Sequence, residues 1–212
     1  LLWERTARPA YRFFYYQRCG MEIPGFHKAC HLDDAAGADT KQQYELWGGW
    51  HDAGDYNKYH NAPYVYGLAR AYGLQQKRFD AQDEDLTGVS DFLEEIVWGG
   101  EHVRRMIAPD GSAYGGITSG YGYWGPPELE TDNLPGTGDE RPISGPATGN
   151  DPGLHTAALA RIAASVADPG PWLEPAERSL RWSLEHNQRG AAQFSAAVDL
   201  YRATHDEKYA AL

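Results

Sequence analysis

The chain has 212 residues, 42% of them hydrophobic, enough for one well-buried core and consistent with a single domain. Thirty acidic against nineteen basic residues give a formal charge of -11, a sign that repels phosphate backbones and anionic lipid, so neither nucleic acid nor a membrane is an expected partner. No run of eighteen apolar residues occurs, so no spanning helix is expected.

Helical periodicity recurs six times, and strand-like alternation almost never, so the predicted architecture is all-α. Thr6 is expected to cap a first helix running through Phe13, Phe14 and Gln17 toward Gly20. A second is predicted from about Lys58 to Leu74, with Val65, Leu68, Ala69 and Tyr72 on one face. A third carries Phe92, Ile96, Val103 and Ile107 and stops at the Pro109-Asp110-Gly111 turn. The fourth has Asp151 as cap and Pro152 at the first helical position, followed by Leu154, Ala158, Ile162 and Val166. Leu173, Ala176, Leu180 and Leu184 mark a fifth; Phe194, Ala197, Val198 and Tyr201 mark a sixth. The first residue is Leu1, and Glu207 to Leu212 have no terminating Gly or Pro, which gives the expectation of a helix in progress and of a chain cut at both ends.

Two connections, 20–57 and 110–150, are too long for a simple bundle and are where function is expected. Trp47, Trp50, Tyr121, Tyr123 and Trp124 lie in them, among the 7 Trp and 14 Tyr of the whole chain. Aromatic rings of this kind stack on flat sugar faces as readily as they fill cores. The most informative segment is Gly48-Gly49-Trp50-His51-Asp52-Ala53-Gly54-Asp55-Tyr56-Asn57-Lys58-Tyr59. Two carboxylates three residues apart at a helix start stay ionised in the field of the helix dipole, and an ionised Asp facing a groove accepts a proton from water. The plainer reading is that one of them caps the helix.

This segment resembles the signature of family 9 glycoside hydrolases at nearly every position. The resemblance extends to Phe13 through Gly20, to Tyr123-Trp124-Gly125-Pro126-Pro127-Glu128, and to Ser195-Ala196-Ala197 with Leu200 through Thr204. It implies an (α/α)6 barrel, of which residues 1–212 supply a partial catalytic domain with about the first six helices, in a secreted enzyme acting on β-glucan such as cellulose. By the same resemblance Asp55 is the general base of an inverting reaction, and Asp52 helps hold the attacking water. Trp124 is the sugar platform, with Tyr123 and Trp50 as further substrate-binding aromatics. The general acid is a Glu beyond this chain, neither Glu128 nor Glu140, so residues 1–212 alone are expected not to hydrolyse β-glucan at an enzymatic rate. The chain reads Ser119-Gly120-Tyr121 and Gly115-Gly116-Ile117 where many relatives carry His-Asp and Gln-Val-Gly, which leaves the β-glycan open.

Cys19 and Cys30 suit either a disulfide or, with His31 and His51, a Cys2His2 zinc set. The family resemblance selects zinc, with His27 as the competing imidazole. Asp80, Asp83, Glu84, Asp85 and Asp91 form an acidic stretch that suits either calcium or a solvated helix start. An exo-acting glycosidase or glucosaminidase of the same family, and a carbohydrate-binding relic without catalysis, are the rival functions.

Overall fold

The computed structural model describes residues 2–37, 42–51, 61–117, 129 and 131–212. The chain forms two compact units, residues 1–59 with 116–147, and residues 60–115 with 148–212. Among the described residues there are six helices and two very short strands, as the periodicity predicts. None of these helices is long and apolar enough to cross a membrane.

The first unit opens with α1, Leu2–Tyr16. The helix starts well ahead of Thr6, which therefore cannot be its cap, and it continues through Pro9. Tyr11 is buried, and Phe14 lays its ring 4.9 Å from that of Trp50. Beyond α1 the described residues of the unit are loop, tied by backbone pairing. β1 (Ala36–Gly37) runs parallel to β2 (Pro142–Ile143), with Ala36 opposite Pro142. Next to this pair, Arg141 is buried: its N–H donates to Asp34 Oδ1 at 3.0 Å, and its guanidinium stands 3.7 Å from Asp34 Oδ2. A buried ion pair of this kind mainly fixes register, because losing either partner strands the other charge.

The second unit holds five helices: α2 (Asn61–Phe79), α3 (Asp91–Arg105), α4 (Gly153–Ala163), α5 (Gly170–Glu185) and α6 (Ala191–Thr204). α2 buries Ala62, Val65, Ala69, Tyr72 and Phe79 at helical spacing and bends at Gln75 (φ -140, ψ 32). The helical geometry breaks at Gln75, so the first segment ends at Leu74 as the periodicity predicts, and a short second segment carries Phe79 onto Phe92 of α3, 3.8 Å between ring centres. Ser90 caps α3 by accepting the Leu93 N–H at 3.2 Å. α4 sits centrally and packs on α2, α3, α5 and α6. Its Ala157, Ala158, Leu159, Ala160 and Ile162 are all buried, so the helix is apolar on most sides, and the small residues let neighbours approach closely. Full burial of residues such as Leu159 or Ile162 contributes roughly 1.5–3 kcal/mol each.

The N-cap of α4 is Pro152, one residue later than the predicted Asp151, whose carboxylate accepts the Gly153 N–H at 3.0 Å from just ahead of the helix. Polar links fix the register of the α4 neighbours: Thr156 donates to Ser179 Oγ at 2.9 Å, and Arg161 lies 2.9 Å from the buried Asp199. α6 ends at Thr204, where His205 turns left-handed at φ 56. Residues 207–211 are turns, so the expected final helix is not formed.

Candidate metal centre

The first unit gathers the cysteines and histidines through backbone crossings rather than through a helix. Residues 17–19 pair antiparallel with 49–51: Cys19 N–H donates to Gly49 O at 2.9 Å, and His51 N–H donates to Gln17 O at 3.2 Å. This crossing sets His51 across the ladder from the stretch that carries Cys19. Gly20 makes it feasible, since it is left-handed (φ +93) and a Cβ there would meet the Trp47 ring at 3.3 Å and Gly48 N at 3.4 Å. Residues 23–27 close a tight turn, with mutual backbone bonds between Ile23 and His27. Cys30 and His31 follow, and His31 is itself left-handed at φ 58.

Cys19, Cys30 and His31 are each fully buried, and their donor atoms lie within 4.8 Å of one another. The two thiols form no disulfide: Cys19 Sγ lies 3.9 Å from Cys30 Sγ and 3.4 Å from His31 Nδ1. Tetrahedral zinc with bonds near 2.3 Å to sulfur and 2.0–2.1 Å to nitrogen would set these separations at about 3.8 and 3.6 Å. The three groups therefore have the chemistry and the spacing for that ion. His51 is buried, its ring centre 6.1 Å from that of His31 and 5.8 Å from that of His27. His27 commits Nδ1–H to the Lys28 carbonyl at 2.6 Å, and its buried Nε2 makes no hydrogen bond among the described residues.

Trp50, expected among the substrate-binding aromatics, is 4% exposed, with its ring centre 4.9 Å from that of Phe14. Asp52, Asp55, Tyr123, Trp124 and Glu128 lie outside the described residues. Glu140 accepts the N–H groups of Gly136, Thr137 (2.9 Å) and Gly138 (2.9 Å). Burial would raise its carboxyl, but these backbone donors outweigh it and hold Glu140 below its ordinary range, the opposite of what a general acid needs.

Two acidic groups also converge. Asp83, Asp85 and Asp91 bring carboxylate oxygens within 4.8 Å of one another in the second unit. Their oxygens accept loop N–H groups of Thr87, Gly88 and Glu84. Asp80 has another partner: it accepts the Tyr72 hydroxyl at 2.7 Å, and burial together with this bond pushes Tyr72 up to about 12. The second group, Asp33, Asp132 and Asp139 in the first unit, escaped sequence reasoning. The only local signal was Asp132 and Asp139 in a Gly- and Pro-containing loop, without periodicity and about a hundred residues from Asp33.

Comparison with known proteins first defines the class. A metagenome-derived glycoside hydrolase family 9 endoglucanase superposes with a TM-score of 0.74 at 28% identity, covering 95% of this chain and 43% of that one. A zinc-binding triple mutant of another family 9 endoglucanase gives 0.76 at 25% identity, covering 95% of this chain and 45% of its own. The six helices thus belong to the all-α (α/α)6 barrel scaffold. The family model for glycosyl hydrolase family 9 matches residues 3–169, and the chain belongs to that family. Endoglucanase D of Acetivibrio thermocellus is 32% identical over 152 residues, and a cellodextrinase of Butyrivibrio fibrisolvens 29% over 133 residues. These matches cover 62% and 55% of this chain, which spans 24% of the length of each relative.

Proposed function

We propose that the protein carrying this chain is an inverting endo-β-1,4-glucanase acting on cellulose or a related β-glucan, with Asp55 as general base and Asp52 as its partner in holding the attacking water. The observation that carries this reading is the family match over residues 3–169, which contains the whole Gly48 to Tyr59 signature. In this role Asp55 takes a proton from water as the water attacks the anomeric carbon, while a carboxylic acid on the opposite side protonates the leaving oxygen. Inverting enzymes keep the two carboxyls about 6.5–9.5 Å apart so that the water fits between. Trp124 and Tyr123 supply faces on which glucose rings stack, and the negative charge of the chain suits a neutral polymer. A polymer of this size is met outside the cell, so the protein is assigned to the secreted class.

Zinc enters this proposal as a structural ion held by Cys19, Cys30, His31 and His51. It supplies no chemistry to the reaction; bound, it closes the crossing that fixes His51, the residue immediately before Asp52. The relatives named endoglucanase and cellodextrinase support a β-1,4-glucan substrate over other glycans.

The test is to digest soluble β-glucan with the protein at the length of its relatives, following viscosity and product chain lengths together. Endo action predicts an early fall in viscosity and a ladder of oligosaccharides. Release of single sugars from chain ends would replace the endo reading with the exo one, and no release from any β-glucan would remove the glucanase reading altogether.

A further inference from the structure

We propose that Asp33, Asp132 and Asp139 form a calcium site in the first unit, separate from the cysteine–histidine knot. A carboxylate oxygen from each lies within 4.8 Å of one from each of the others. Two oxygens on opposite sides of a calcium ion are about 4.6–5.2 Å apart, given bonds of 2.3–2.6 Å, and neighbouring ones are closer, so the three fit around one ion. Carboxylates alone would be an ordinary acidic surface; Asp33 makes the difference. It is 0% exposed, its Oδ1 accepts the Thr131 hydroxyl at 2.9 Å, and its buried Oδ2 has no hydrogen-bond partner among the described residues. No Lys or Arg is paired with Asp33 among the described residues. A buried carboxylate oxygen with neither donor nor cation costs a large desolvation penalty, and here it sits beside two further carboxylates, which a divalent cation would offset.

The donor set selects the ion. Three carboxylates with no thiolate or imidazole among them favour a hard cation, and calcium completes its shell of six to eight oxygens from loop carbonyls and water. Asp132 and Asp139 keep capacity for it: Asp132 Oδ1 accepts the Leu134 N–H at 2.7 Å, and Asp139 Oδ2 accepts the Asp132 N–H at 2.7 Å, each carboxylate retaining free lone pairs. The Asp83, Asp85 and Asp91 group offers no comparable buried, unpartnered oxygen. An ion at Asp33 would clamp the 131–140 loop onto the chain next to His31. That junction already carries two bonds from Asn133, one accepting the Leu32 N–H at 3.0 Å and one donating to Ala29 O at 3.2 Å.

The test measures calcium per chain by equilibrium dialysis, and melting temperature with and without calcium, for the wild type and for Asp132→Asn/Asp139→Asn. The double variant is expected to bind one calcium fewer, to keep its zinc, and to lose a calcium-dependent rise of several degrees. An Asp83→Asn/Asp85→Asn control should retain that rise. Equal calcium content in the wild type and in a folded Asp132→Asn/Asp139→Asn variant would overturn the site. Should that variant fail to fold, long-wavelength anomalous diffraction from wild-type crystals grown in calcium decides the matter. A peak within about 2.6 Å of all three carboxylates supports the site, and its absence at saturating calcium overturns it. An equal rise with magnesium in place of calcium would overturn the choice of ion.

Discussion

Cys30→Ser is expected to strip the protein of its zinc and to lower its melting temperature by about 10 °C or more. Cys30 is buried with its sulfur 3.9 Å from that of Cys19, in a loop-built unit that has one helix among its described residues. Such a unit depends on its cross-links more than a helix bundle does. Structural zinc is worth about 10–16 kcal/mol in isolated finger peptides. A knot that also has backbone pairing and the Arg141–Asp34 contact to lean on loses less, and about 4 kcal/mol would shift the midpoint of a chain this size by roughly 8–16 °C. Metal analysis and a thermal melt on the same sample provide the check. His51→Gln should mirror Cys30→Ser, whereas His27→Gln should keep one zinc per chain. Full zinc in Cys30→Ser would exclude it as a ligand, and zinc loss in His27→Gln alone would give His27 the fourth place.

Asp55→Ala is expected to lower turnover by about 10²–10⁴-fold with little change in affinity for oligosaccharide. A general base acts as the proton moves, so its contribution is made in the transition state and is absent from ground-state binding. Asp52→Ala should also lower turnover, by less, since it orients the water without taking its proton. Trp124→Ala should instead raise KM, because ring stacking holds substrate and transition state alike. Single-turnover rates and binding isotherms measured on the same preparations separate these patterns. Asp55→Ala with unimpaired turnover would place the base elsewhere.

The helices were legible because burial along α2, α3 and α5 follows the 3.6-residue period that the apolar residues display; α4 is instead buried on most sides with Leu154 exposed, and in α6 the buried face is Ala196, Ala197 and Leu200 while Phe194, read as part of it, is exposed. The helix ends were less legible. α1 runs through Pro9, a residue that marks a break in most helical patterns. α6 stops on His205 in a left-handed conformation, a role that sequence rules give to Gly or Asn. The approach of Cys19, Cys30 and His31 could be anticipated only through the family resemblance, since their meeting depends on a ladder between 17–19 and 49–51 and on turns at Gly20 and His31 that carry no periodic signal. Trp50, given a substrate role by the resemblance, is buried with its ring beside Phe14, a neighbour that no local pattern in the sequence announces. The Asp33 group was hidden because its members come from two segments joined only by the fold, and separations of about a hundred residues leave no mark on local composition.

The most direct test of the central claim is the anomeric form of the first product, followed by proton NMR during hydrolysis of a soluble β-1,4-glucan oligosaccharide. Direct attack by water, with Asp55 as base and no covalent glycosyl-enzyme, predicts that the α-anomer accumulates first and then equilibrates slowly with the β-anomer. Initial accumulation of the β-anomer would show a double displacement through a nucleophile, and would contradict the role given to Asp55.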